Sequence, residues 1–148
     1  MEINGLPLHA LVVHAAVVFA PLSALAGIAF AVPRFRAWVR RPLVVAVTIA
    51  LVSIWVAYLS GEQLEEANQY GGPLGELLET HEERAGILRI SVTAFALVTY
   101  VAAWLHSRPG RAASAAAGVV AGLGVLTAVY TVLTGDAGAQ IAWYGVNG

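Results

Sequence analysis

Four apolar runs, each long enough to cross a lipid bilayer, fill most of this 148-residue chain, and the charges between them are sorted by sign. A helix needs about 20 apolar residues to cross the hydrocarbon core. Lipid offers no partner to an unpaired backbone N–H or C=O, so spanning segments are confined to helices and closed barrels. The first run covers about 8–32 and ends at Pro33. The second covers about 42–60, with Pro42 suited to a first helical turn, where its missing N–H costs nothing. The third covers about 81–105 and the fourth 112–134, with Gly135 as a C-terminal stop. The expected fold is all-α: a single domain, an integral membrane four-helix bundle.

Composition agrees. The chain is 59% hydrophobic and 11% charged, against roughly 25% charged in soluble domains. It has no Cys, which excludes disulfides, thiolate metal sites and cysteine nucleophiles. It has no Lys, which excludes Schiff-base chemistry. Basic residues that are all Arg, with abundant Ala, Val and Gly, suggest a GC-rich bacterial genome and so a multi-pass protein of the inner (plasma) membrane. Ala29-Phe30-Ala31 has the form of a signal cleavage site. The residues before it carry no positive charge and too long an apolar stretch, so a retained span is expected.

Arg34, Arg36, Arg40 and Arg41 follow the first run, and Arg108 and Arg111 lie between the third and fourth. Positive flanks stay in the cytoplasm, which predicts both termini and the glutamate-rich middle loop on the other side. These arginines already serve that purpose, so no nucleic-acid partner is expected. In the middle loop, Leu64 sits among Glu62, Glu65 and Glu66, while Leu74, Leu77 and Leu78 form a narrow apolar stripe. Both suggest short amphipathic helices in the outer loop, separated by Gly71-Gly72-Pro73. Thr80-His81-Glu82-Glu83 reads as a capping box, which would start the third helix at His81. The glycine-rich tail with Ile141, Trp143 and Tyr144 is expected to fold back over the outer mouth. Gly118 and Gly122 form a GxxxG step, and Ser23 and Gly27 a small-residue step. Such steps let helices approach closely within a bundle or across a homo-oligomer.

The polar residues that break the apolar pattern locate a candidate site. Ionisable side chains within spans suggest function by default. His9, His14 and His81 share one depth on the acidic side, whereas His106 lies beside Arg108 at the other end. His9 and His14 are about 140° apart on a helix, so one points inward and the other towards headgroups. Arg89 enters the third span and has Glu82 or Asp136 as candidate ion-pair partners; it could also meet a haem propionate.

Asn4-Gly5-Leu6-Pro7-Leu8-His9 followed by Val13-His14 resembles the opening signature of a bacterial membrane family catalogued as domain of unknown function family 2231. Ser60-Gly61-Glu62, His81-Glu82 and Leu133-Thr134-Gly135 fit the same resemblance. Two departures stand out: Ala10 replaces the proline usual after the first histidine, and Asp136 and Tyr144 stand where relatives tend to carry tail histidines. The resemblance implies a fold and a site rather than a reaction.

Three functions fit these residues. A b-type haem module for electron transfer would use His14 and His81 as axial ligands and Arg89 at a propionate. A zinc or iron site would draw on His9, His14, His81, Glu62 and Asp136. A non-catalytic accessory or assembly subunit would use the polar cluster only to knit helices together. No catalytic constellation is visible.

Overall fold

A computed structural model describes residues 2–3, 6–66, 71–108 and 110–144. Four helices dominate the described residues: α1 (Leu8–Ala31), α2 (Pro33–Glu66), α3 (Pro73–Leu105) and α4 (Arg111–Ala142). All four are long and apolar enough to cross a membrane. They pack in an up-and-down ring, α1 against α2 and α4, and α3 against α2 and α4. A two-residue ladder precedes them, β1 (Glu2–Ile3) antiparallel to β2 (Leu6–Pro7) with Ile3 opposite Leu6.

Packing is inverted relative to a water-soluble bundle. Small side chains line the helix contacts, with Ala20, Ser23, Ala96 and Ala117 buried. Large apolar ones point outward, Val132 being 67% exposed and Ile90 66%. An apolar surface this continuous suits lipid, not water. One core cluster gathers Phe30, Leu43, Val47, Phe95 and Val120; a second gathers Ala16, Ala50, Ile54, Leu88 and Val92. Phe95 fits because two neighbours are glycines: a Cβ on Gly124 would stand 3.2 Å from its ring, and one on Gly27 3.3 Å. The Ser23–Gly27 step therefore packs inside the bundle. A Cβ on Gly118 or Gly122 would meet nothing within 4 Å, and both lie on the outer face of α4.

Several boundaries differ from the sequence reading, each for a local reason. α2 begins at Pro33, so the arginines ride on its first turns and Pro42 lies inside the helix. Only Val32 separates α1 from α2. The outer-loop segments are not separate amphipathic helices but extensions of α2 and α3. Pro73 opens α3 behind Gly72, whose φ of 61° suits a residue without a Cβ. Thr80 is therefore mid-helix, donating its hydroxyl to the Glu76 carbonyl (3.0 Å) instead of capping. Gly135 does not stop α4, which runs to Ala142 and ends as Trp143 N–H donates to the Ala139 carbonyl. The tail to Ala142 thus continues the bundle rather than folding across its mouth. Residues 145–148, and Asn4-Gly5 of the opening signature, lie outside the described residues. At 34 residues α2 is about 51 Å long. It overshoots the roughly 30 Å hydrocarbon core, which puts arginines at one headgroup level and glutamates at the other.

Candidate functional site: a cavity between two histidines

The start of α1, the end of α2, the start of α3 and the end of α4 meet at the glutamate-bearing end. Between them lies a cavity of about 620 Å³. Its wall is mostly small and apolar, including Val13, Ala16, Ile54, Leu88 and Ala139. Glu62, Glu65 and Glu82 line its α2–α3 side, and Glu65 and Glu82 meet carboxyl to carboxyl. No acidic residue lines the side formed by α1 and α4.

His9 and His81 both line this cavity, one from each helical hairpin, and they are held in the same way. Nδ1 of His9 donates to the Ala57 carbonyl of α2 at 2.8 Å. Nδ1 of His81 donates to the Thr134 carbonyl of α4 at 3.0 Å. A carbonyl can only accept, so each Nδ1 carries a proton, and in the neutral tautomer this leaves the Nε2 lone pair unused by these bonds. In both hairpins a glycine lies four residues after the accepting carbonyl, Gly61 after Ala57 and Gly138 after Thr134. Side chains at that position shield a helical carbonyl, and their absence lets the imidazole reach it. A Cβ on Gly61 would stand 3.3 Å from the His9 ring, and one on Gly138 3.1 Å from the His81 ring.

One further polar atom marks the wall. Thr134 Oγ1 is buried without a hydrogen-bond partner among the described residues. Buried hydroxyls are normally satisfied, and this one belongs to a residue of the cavity wall.

The other expected site residues lie elsewhere. His14 is exposed and donates Nδ1–H to the Ala10 carbonyl of its own helix (2.7 Å), pointing away from the cavity. The inward histidine of α1 is His9. Arg89 does not pair with Glu82 or Asp136; it stacks over Tyr58 (4.0 Å) and Trp55 (5.0 Å), clamping α3 to α2. It is not among the residues that line the cavity. Asp136 is exposed, accepts from Gln140 and lies 3.9 Å from Arg84. Among the described residues, no three His, Asp or Glu gather as a metal-holding group. His9, His14, His81, Glu62 and Asp136 are therefore not brought together as one ligand set.

Arg84 was not anticipated. Its guanidinium donates to the Leu133 carbonyl (3.0 Å), beside the carbonyl that holds His81. The spacing carried the signal, since residues 81 and 84 share a helix face.

The geometry defines a class: a four-span membrane bundle with two oriented imidazoles facing a cavity at one end. A family model described as "predicted membrane protein", domain of unknown function family 2231, matches residues 5–147. The chain belongs to that family, as the opening signature implied. No curated protein and no solved structure matches it.

Proposed function

We propose that the cavity holds haem b between Nε2 of His9 and Nε2 of His81, making the protein a membrane electron-transfer module. The observation that carries this reading is the pair of imidazoles, each locked through Nδ1 to a backbone carbonyl and each facing the same apolar cavity. Metal-ligating histidines characteristically donate their second ring nitrogen in this way, which fixes the tautomer and raises ligand basicity. The volume of about 620 Å³ lies within the range of cofactor-sized sites, and a bare metal ion would need no such apolar space. Bound haem would supply one-electron redox chemistry, with the ligating imidazoles and burial setting its potential. The residues then orient the ligands and exclude water, while Glu62, Glu65 and Glu82 repel the carboxylates of such a cofactor from the α2–α3 side. The reading replaces His14 with His9 and removes Arg89 from the site.

The test is a reduced-minus-oxidised absorption spectrum of protein purified from its own host membrane, followed by haemin titration. A Soret band with saturable one-to-one binding is expected. A colourless preparation that takes up no haemin sinks the haem reading and leaves an accessory role for the polar cluster. The glycines provide a finer test. Gly138→Ala brings a methyl group against the His81 ring and should weaken haemin binding about tenfold, roughly the worth of one hydrogen bond. Gly61→Ala should act on His9 in the same direction, and unchanged titrations for both would rule out the proposed imidazole alignment.

For topology we infer that both termini and the glutamate end face away from the cytoplasm of a bacterial cell, with the arginine end inside. The chain lacks Cys, so single cysteines report cleanly. Gln63→Cys should react with an impermeant maleimide in whole cells and Ala37→Cys only after lysis; the reverse pattern inverts the assignment. The open Gly118–Gly122 face of α4 is where a second copy would pack.

A further inference from the structure

At the opposite end of the bundle, Arg34, Arg36, Arg40, Arg41, Arg108 and Arg111 gather where the sequence places none of its nine acidic residues. An orientation signal accounts for their presence but not for how two of them are held. Arg40 Nη1 donates to the Ala103 carbonyl across the α2–α3 seam at 3.5 Å. The Arg108 guanidinium lies 4.1 Å over the ring of Trp104, the next residue along α3. A single long hydrogen bond and a ring face leave most of the five N–H donors on each guanidinium without an acceptor among the described residues. Arg36, by contrast, is engaged by the carbonyls of Phe30 and Ala31.

The surroundings identify the missing acceptor. α2 and α3 make the least extensive contact of the four neighbouring pairs. Trp38 of α2 is 79% exposed and Trp104 of α3 60% exposed, both at this end. Tryptophan favours the headgroup level. The α4 N-terminus at this end has no side-chain cap and no acid in its first turn, which adds positive potential. A guanidinium fork matches two phosphate oxygens, and basic pockets between spanning helices receive anionic headgroups. The exposed tryptophans favour a phosphate that carries acyl chains over one free in water.

We propose that the α2–α3 seam at the arginine end binds an anionic phospholipid, with Arg40 and Arg108 contacting its phosphate. The test follows thermal unfolding and native mass spectra of delipidated full-length protein in neutral detergent. Phosphatidylglycerol, phosphatidylcholine and inorganic phosphate are each titrated. Phosphatidylglycerol alone should raise the melting temperature and stay bound in the mass spectrum. Each arginine removed should weaken it about fivefold, so Arg40→Gln with Arg108→Gln loses about 25-fold while Arg34→Gln, stacked on Phe35, stays at the wild-type value. Should the double variant not purify, Arg108→Gln alone carries the test, since its recorded contact is the exposed Trp104 face. Equal retention of phosphatidylcholine overturns the proposal. So does wild-type affinity in the arginine variants, or an equal shift produced by inorganic phosphate.

Discussion

His81→Ala should abolish the Soret band of protein purified from its own host membrane, and His9→Ala should do the same, whereas His14→Ala should leave the spectrum unchanged. The first two remove an Nε2 that the proposed haem site requires. The third removes a ring that is exposed and bonded only to its own helix. The contrast matters because His9 and His14 are both near the start of α1, and only side-chain direction separates them. Unfolding is not the expected cause of the loss: truncating His81 gives up one hydrogen bond to the Thr134 carbonyl, worth about 1 kcal/mol. Monodisperse gel filtration and an unchanged helical circular dichroism spectrum check this. Retention of a normal Soret band in His9→Ala would remove that residue from the site. Loss in His14→Ala alone would reverse the orientation of α1.

Phe95→Ala should cost about 3–5 kcal/mol in a reversible unfolding assay in bilayer-like micelles, the usual range for emptying a buried aromatic site. Phe95 is fully buried at the junction of α1, α3 and α4, with its ring against Gly27 and Gly124. Neither glycine has a side chain to move into the space, so the cavity cannot collapse without shifting a helix. The complementary change is Gly124→Ala, whose new Cβ would stand 3.2 Å from both the Ala24 backbone and the Phe95 ring. Backbone on one side prevents relief, which predicts a loss of about 1–3 kcal/mol from overpacking. Because the two positions touch, their effects should not add: Phe95→Leu ought to recover part of the loss in Gly124→Ala. Strict additivity would mean that α1 and α4 do not meet at this ring.

The four spans were legible because apolar length is a crude, strong signal. Their ends were not, because helix-stopping residues act only where nothing compensates for them. Gly135 and Gly138 lower helix propensity by roughly 1 kcal/mol each, yet α4 continues through both while its wall closes the cavity. Thr80 has the residues of a capping box, but Pro73 starts α3 two turns earlier. The end of the bundle that holds the cavity was readable from His9 and His81, whereas the choice of His14 as partner to His81 came from counting ionisable residues inside a span without following the helix face, and His14 does not line the cavity. That face was available: Val13, Ala16, Ala20, Ser23 and Gly27 follow His9 at intervals of three and four, and the last four are buried. His14 instead shares its face with Val18 and Leu25, which are 52% and 64% exposed. Arg89 was harder, because a cation resting on Tyr58 and Trp55 depends on how α2 and α3 are rotated against each other. No pattern within either helix encodes that.

The separation of carboxylates from guanidiniums also determines the solution that the cavity meets. Glu62, Glu65 and Glu82 line it, and Glu66, Glu76, Glu79 and Glu83 lie near them in sequence, with Arg84 and Arg89 as the basic residues of the same stretch. Such a surface draws a counter-ion atmosphere about one Debye length deep, roughly 10 Å at 0.1 M salt. Small cations and protons are enriched within that layer and anions thinned out. An affinity or midpoint potential measured here is therefore a property of the protein together with its ionic cloud. It will drift with salt concentration even when no atom of the bundle moves.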